Sequence, residues 1–359
     1  MRVALVLGRN GFGGSESQAK LLVAGLLAAG AEVDVILIEG DGGTDGFGSA
    51  VVRVLASKRR SGISSLFDMI RALLALRRLL GGTRYDVAHA VMARAYVLVP
   101  IATLGRHGRP RIIAWRRNEG IHLRKRSLSA ALEWAASKAT DLVVCNSRSV
   151  QAYWIERGHI LPHRSCVIPN ALEDWRFEAS GQTKVRHAVG RIIAVGGLKR
   201  VKGHAWLIET IGQLRPSDRP QVVIVGEGEC RGDLIRTARE NEVELVLTGY
   251  MQDPRPWLES SEIFVQTSRS EGLSNALLEA MAQRVAIIAT GVGGTEEALG
   301  DAGIIVEYKN SPQLIDAMET LLADSGLRND LGAAAFQRAN SGYRLESIVT
   351  EHLDVYRGL

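Results

Sequence analysis

Two periodicities take turns along the chain. Short runs of branched and aliphatic residues, RVALVL (2–7), EVDVILI (32–38), VVRVL (51–55), DVAHAV (86–91), RIIAW (111–115), DLVVC (141–145) and SCVIP (165–169), read as strands. Between them lie stretches whose apolar positions recur every three or four residues, at 15–30, 64–80, 94–105, 127–139 and 147–157, and these read as helices. Strands alternating with helices predict βαβ units around a parallel sheet.

The alternation stops at 170–188, where NALEDWRFEASGQTKVRHA is polar and irregular, and a linker is expected. It restarts with strands at 191–196, 221–226, 244–249, 262–267, 285–290 and 303–308, and helices at 203–214, 229–241, 254–259, 274–282 and 311–324. The expected organisation is an N-terminal Rossmann-like domain at 1–170, a linker at 171–188, a second Rossmann-like domain at 189–341, and a last helix within 342–359 crossing back to the first domain. Two doubly wound domains of similar size imply a cleft between them. Open α/β sheets bind ligands beyond the carboxyl ends of their strands, so function is sought in the loops after the strands.

Composition narrows the class. With 46% hydrophobic and 23% charged residues, the chain reads as globular and soluble. Cys145, Cys166 and Cys230 form no CxxC pair, which argues against a disulfide framework or zinc site and suits a cytoplasmic protein. No targeting segment is expected, because VALVLG breaks into a glycine-rich loop. The most apolar long stretch, 90–105, carries Arg94 and is not expected to span a bilayer. Charge is lopsided: residues 1–175 hold 24 Lys+Arg against 14 Asp+Glu (+10), and the remainder 20 against 25 (−5). The first half is therefore expected to meet something anionic.

Several loops carry candidate chemistry. GRNGFGGSESQ (8–18) places glycines before a helix, where backbone N–H groups can approach an anion, but its spacing matches neither a dinucleotide fingerprint nor a Walker loop. VGGLKRVKG (195–203) brings Lys199, Arg200 and Lys202 between a strand and a helix, where cations suit a diphosphate. VGEGE (225–229) and TGY (248–250) permit close backbone approach. SEGLSNALLEAMA (270–282) sets Glu271 ahead of a helix and Glu279 about two turns in. Ser274 is the expected N-cap, leaving the N–H groups of Asn275, Ala276 and Leu277 as an anion site, and Glu279 can accept hydrogen bonds from vicinal hydroxyls such as a ribose offers.

SEGLSNALLEAMA resembles the E-x7-E signature of the retaining group 1 glycosyltransferases, family 4, which have the GT-B fold. The resemblance continues in GGSE (13–16), TDLVVCNS (140–147), VIPNALE (167–173), VGGLKRVKG (195–203) and GVGGTEEAL (291–299), in the family's order. It implies that Glu271 contacts hydroxyls of the transferred sugar, that Glu279 binds the nucleotide ribose, and that amides from Gly272 through Ser274, Asn275 and Ala276 meet the diphosphate. Lys202 and Arg200 would bind the phosphates, Gly14 would approach them from the first domain, and Tyr250 would contribute to donor binding. It implies a nucleotide diphosphate sugar as donor, no cofactor and no metal.

Three departures stand out. Gly197 occupies the place of the arginine in the family's GRL, so Lys199 or Arg200 is expected to supply that charge. Ala282-Gln283-Arg284-Val285-Ala286 replaces the usual A-x-G-x-P. Where the family often has an acceptor-side histidine stands AWRRNEG (114–120), which makes Arg116 a candidate catalytic residue, with Arg117 beside it, and favours an anionic acceptor. Arg106, Arg109, Arg111, Arg116, Arg117, Arg124, Lys125 and Arg126 oppose only Glu119 within 106–126, and Arg71, Arg77 and Arg78 add to them. Few aromatics interleave and no nucleic-acid motif appears, so the expected partner is an anionic membrane surface carrying a lipid-linked or glycan acceptor. The expectation is a hexosyltransferase of surface polysaccharide or glycolipid biosynthesis, cytoplasmic and peripheral on the inner face of the membrane. The alternatives are a nucleotide-sugar epimerase of the same fold and a non-catalytic nucleotide-sugar-binding subunit.

Overall fold

A computed structural model describes residues 1–11, 13–40, 45–56, 63–119, 128–179 and 190–358. The chain divides into two compact units, Met1–Ala171 with Leu345–Leu359, and Leu172–Arg344.

The first unit runs β1 (Arg2–Leu7), α1 (Gly14–Ala28), β2 (Glu32–Glu39), β3 (Val51–Ala56), α2 (Ile63–Gly82), β4 (Val87–Val91), α3 (Ala93–Thr103), β5 (Arg111–Arg116), α4 (Leu128–Lys138), β6 (Leu142–Cys145), α5 (Arg148–Glu156) and β7 (Ser165–Val167). Its seven strands pair in parallel in the order β3-β2-β1-β4-β5-β6-β7. Both sheet faces are covered, so β1 is apolar at every position from Val3 to Leu7. Val3, Leu5 and Leu7 pack against Leu22, Val23 and Leu26 of α1, while Ala4 and Val6 face Ala72, Leu76 and Leu80 of α2.

The second unit runs β8 (Arg191–Val195), α6 (His204–Ile211), β9 (Gln221–Val225), α7 (Arg231–Glu240), β10 (Leu245–Gly249), α8 (Arg255–Glu259), β11 (Ile263–Gln266), α9 (Asn275–Ala282), β12 (Ala286–Thr290), α10 (Thr295–Leu299), β13 (Ile304–Val306), α11 (Ser311–Ala323) and α12 (Ser325–Gly342). Its six parallel strands lie in the order β10-β9-β8-β11-β12-β13. The helices that follow β8 and β11 cover opposite faces: α6 packs with Ile192 and Ala194, α9 with Ile193 and Phe264.

The last helix, α13 (Leu345–Gly358), belongs to the first unit. Ile348, Val349, Leu353 and Tyr356 enter the core beside α1. Gly25 permits that crossing, because a Cβ there would collide with Val349. On the buried side His89 Nδ1 and Tyr356 Oη are 2.5 Å apart, and His352 stacks edge-on against Trp115.

Three elements depart from the sequence reading, the first being the short α10, which no expected helix covers. The start of the expected linker folds with the second unit: Asp174–Phe177 forms a helical turn, and residues 180–188 lie outside the described residues. Helix α12 was not anticipated, since it buries Gly332, Ala335 and Ala339 rather than a stripe of large apolar residues.

Candidate active site

The order β9-β8-β11-β12 makes the gap between β8 and β11 the topological switch point of the second sheet. Chains leave these two strands toward opposite faces, and the crevice at their carboxyl ends is where such sheets take ligands. The loop after β8 carries Gly196–Gly203, and the loop after β11 carries Thr267–Ser274.

Backbone contacts tie the two loops together. Arg269 N–H donates to Val201 O at 2.8 Å, and Thr267 Oγ1 donates to Lys202 O at 3.2 Å. Gly203 adopts φ 70°, and a Cβ there would run into the Thr267 carbonyl oxygen, so only glycine allows this approach. The side chains then meet: Lys202 Nζ donates to Glu271 Oε1 at 2.6 Å, and Ser268 Oγ donates to the same oxygen at 2.6 Å. Both charged side chains are largely buried yet retain some exposure. A cation and a carboxylate thus share one mouth, the cation suited to phosphate and the carboxylate to hydroxyls.

Directly after Glu271 the chain enters α9. Ser274 caps it, its Oγ accepting from Leu277 N–H at 3.4 Å. The cap therefore consumes the Leu277 amide, which sequence reading had counted among the outward donors. Behind the mouth, Gly294 N–H donates to Gly272 O at 2.5 Å, so the GVGG turn braces the loop.

Glu279 lies one turn further along α9, with Arg176 Nη1 3.1 Å from its Oε1. Burial raises its carboxyl pKa above the usual value, and the nearby Arg176 partly opposes that rise. Arg176 is itself held: its guanidinium stacks on Trp175 at 4.2 Å, Arg255 stacks on the same ring at 4.5 Å, and Gln283 Nε2 donates to Arg176 O at 2.5 Å. Sequence reading missed Arg176 and Ser268. For Arg176 the available signal was the aromatic-basic cluster DWRF inside a segment otherwise read as linker.

The other expected donor residues are distributed unequally. Gly272 is buried within the braced loop, whereas Asn275 and Ala276 form the partly exposed first turn of α9. Arg200 is exposed at the start of the helical turn Arg200–Lys202, and Tyr250 after β10 is 58% exposed. His204, at the start of α6, has its pKa pushed down to about 4 by burial and then by the Lys202 charge. Gly14 opens α1 in the first unit, following an N-cap glycine that provides no side-chain cap.

Arg116 requires a correction. It lies at the end of β5 with its side chain 4% exposed, ion-paired to the equally buried Glu133, and its guanidinium stacks on Tyr96 at 4.3 Å and Trp154 at 4.2 Å. A guanidinium so enclosed is a packing element rather than a catalytic group. Its neighbour Arg117 rests on Trp115 at 4.6 Å, half-buried, and burial lowers its pKa to about 9 despite the attraction of Tyr96 and Glu16. Among the described residues of the basic stretch, Arg109 makes a two-pronged pair with Asp141, Arg106 donates to Arg77 O, and Arg111 is exposed. Arg124, Lys125 and Arg126 lie outside the described residues.

Comparisons with known proteins follow this division. Residues 190–324 match the family model of glycosyl transferases group 1, and residues 12–176 match that of glycosyltransferase family 4. The chain is 29% identical over 209 residues to an N-acetylgalactosamine-N,N'-diacetylbacillosaminyl-diphospho-undecaprenol 4-alpha-N-acetylgalactosaminyltransferase of Campylobacter jejuni, covering 56% of each chain. It is 24% identical over 323 residues to a UDP-Gal:alpha-D-GlcNAc-diphosphoundecaprenol alpha-1,3-galactosyltransferase of Escherichia coli, covering 81% of this chain and 80% of that one. In fold it is similar to HepE of Anabaena, solved in complex with UDP, with a TM-score of 0.81, 16% identity and full coverage of both chains.

Proposed function

We propose, for a chain that belongs to the group 1 glycosyltransferases of family 4, that it moves a hexose with retention from a UDP or GDP sugar to a lipid-linked or growing glycan acceptor. The observation that carries this reading is the Lys202–Glu271 pair at the β8/β11 switch point, beside the first turn of α9.

In this reading Lys202, Arg200 and the amides of Gly272 to Ala276 hold the donor diphosphate, and no metal or cofactor takes part. Glu271 accepts hydrogen bonds from the sugar. Glu279 accepts from the ribose, with Tyr250 near the nucleotide. The anomeric C–O bond to the diphosphate breaks as the acceptor hydroxyl attacks from the same face, and the acceptor proton passes to the departing phosphate oxygen. Stabilising that leaving anion with fixed cations and amides lowers the barrier most where charge develops.

Relatives named for diphospho-undecaprenol substrates support a lipid-linked acceptor in surface polysaccharide or glycolipid synthesis. We place the enzyme in the cytoplasm, peripheral on an anionic membrane face through its first unit. Among the described residues no helix is long and apolar enough to cross a membrane.

The test is incubation with a panel of nucleotide sugars, with and without cell lipid extract and with and without EDTA, while released nucleotide diphosphate is measured. Release that needs lipid, survives EDTA and disappears in Glu271→Ala supports the reading. Conversion of the nucleotide sugar to an epimer, followed by NMR with no nucleotide diphosphate released, points to an epimerase, and binding without either change to a non-catalytic subunit. Either result overturns it.

A further inference from the structure

Of the five arginines described within 106–117, Arg106, Arg109, Arg116 and Arg117 are occupied by the Arg77 carbonyl, Asp141, Glu133 and the Trp115 ring, so these four offer little free charge for a docking face. The exposed apolar side chains point elsewhere. Among the described residues fifteen large hydrophobics are exposed, and twelve of them belong to the first unit. Eight of those twelve lie on or directly after α2, α3 and α4, which pack side by side.

Helix α2 has two apolar faces where a surface helix needs only one. Ala72, Leu76 and Leu80 enter the core. Phe67, Ile70 and Leu74, spaced i, i+3 and i+7, stand out at 64%, 48% and 46% exposure, with the exposed Arg71 and Arg78 on the same stripe. Leu104 after α3 and Trp134 on α4, on helices packed in series beside α2, are also exposed, at 67% and 48%. Asp68 is the only acidic residue of α2, and Glu133 of α4 is buried in its pair. An exposed apolar stripe with cations interleaved marks an interaction site, and this charge pattern complements lipid phosphate.

We propose that the outer face of α2, continued by the end of α3 and by α4, seats in the headgroup region of an anionic bilayer. The proposal rests on the reading of a lipid-linked acceptor and gives it a location. Phe67, Ile70 and Leu74 enter the acyl boundary, while Arg71 and Arg78 fork onto lipid phosphates.

Vesicle co-sedimentation of the whole chain tests it. Wild type should pellet with vesicles of phosphatidylglycerol and phosphatidylethanolamine, less so as salt rises, and weakly with phosphatidylcholine alone. Arg71→Gln and Arg78→Gln should each lower partitioning about fivefold. Phe67→Ser/Ile70→Ser/Leu74→Ser should abolish pelleting with no fall in melting temperature, since these side chains are already exposed. Variants that pellet like wild type would overturn the proposal. So would a wild-type dimer in sedimentation velocity that the triple variant dissociates, because the face would then belong to a second copy. Transfer to a short-chain, water-soluble acceptor keeps the two ideas apart. It should persist in the triple variant. Vesicle binding without transfer to any acceptor would sink the functional reading and leave the surface standing.

Discussion

Arg176 and Glu279 pair at 3.1 Å, with side chains 14% and 16% exposed, so the carboxylate proposed to receive a ribose is steadied by a guanidinium. The contact is Coulombic: Nη1 is close enough to pair but is not aligned to donate. Burial pushes the Glu279 pKa up, and Arg176 pulls against that rise while Asp253 and Glu173 add to it.

Arg176→Met should therefore raise the donor KM about tenfold, the loss expected for about 1.4 kcal/mol at a semi-buried charge, with a smaller change in kcat. Without the arginine the Glu279 pKa climbs further. The acidic limb of donor kcat/KM should then move to higher pH, and Arg176→Lys should partly restore it. Steady-state kinetics across pH checks this. An unchanged profile with only a lower melting temperature would make Arg176 a packing residue.

Gly203→Ala combines a left-handed backbone angle with a collision against the Thr267 carbonyl. Adopting that angle alone costs about 1–2 kcal/mol, and relieving the collision must part the loops that carry Lys202 and Glu271. Both the melting temperature of the second unit and donor affinity should fall, as read by calorimetry and by nucleotide titration. A variant with wild-type affinity would separate loop closure from binding.

Arg116 and Glu133 make a buried pair enclosed by Tyr96 and Trp154. Breaking such a pair from one side costs about 3–5 kcal/mol. Arg116→Ala should destabilise the first unit by that order in urea, while donor KM stays unchanged in whatever protein remains folded. A stable variant that is selectively slow would return Arg116 to catalysis.

Buried histidines set the acid limit of stability. His352 is held down to about 3 by burial and by Arg117, His204 to about 4 by burial and Lys202, and His89 well below 6.5 by burial and His352. All three are neutral in the native state and accept protons once unfolded. Stability is therefore full above about pH 6.5 and falls as pH drops below it, by up to about 1.4 kcal/mol per pH unit for each histidine. Urea midpoints measured from pH 7 to pH 5 should decline for both units. Flat midpoints over that range would contradict the burial of these rings.

Both sheets were legible in the sequence, because strands buried on two faces read as unbroken apolar runs and helices between them keep a one-sided period. The Ser274 cap, with Glu271 ahead of the helix and Glu279 along it, was legible because these positions are local in sequence. Helix α12 was not, since it packs through Gly332, Ala335 and Ala339, whose side chains give little periodic contrast. Arg116 and Arg109 looked like free charge because Glu133 and Asp141 reach them only through the fold. Arg176 was hidden likewise: the carboxylate it steadies lies on α9, far along the chain.

The most direct measurement is a crystal structure with a bound nucleotide diphosphate sugar. The diphosphate should lie within hydrogen-bond reach of Lys202 Nζ and the first-turn amides of α9, with the sugar hydroxyls at Glu271 and the ribose at Glu279. A donor bound away from the β8 and β11 loops, with the Lys202–Glu271 contact undisturbed, would contradict it.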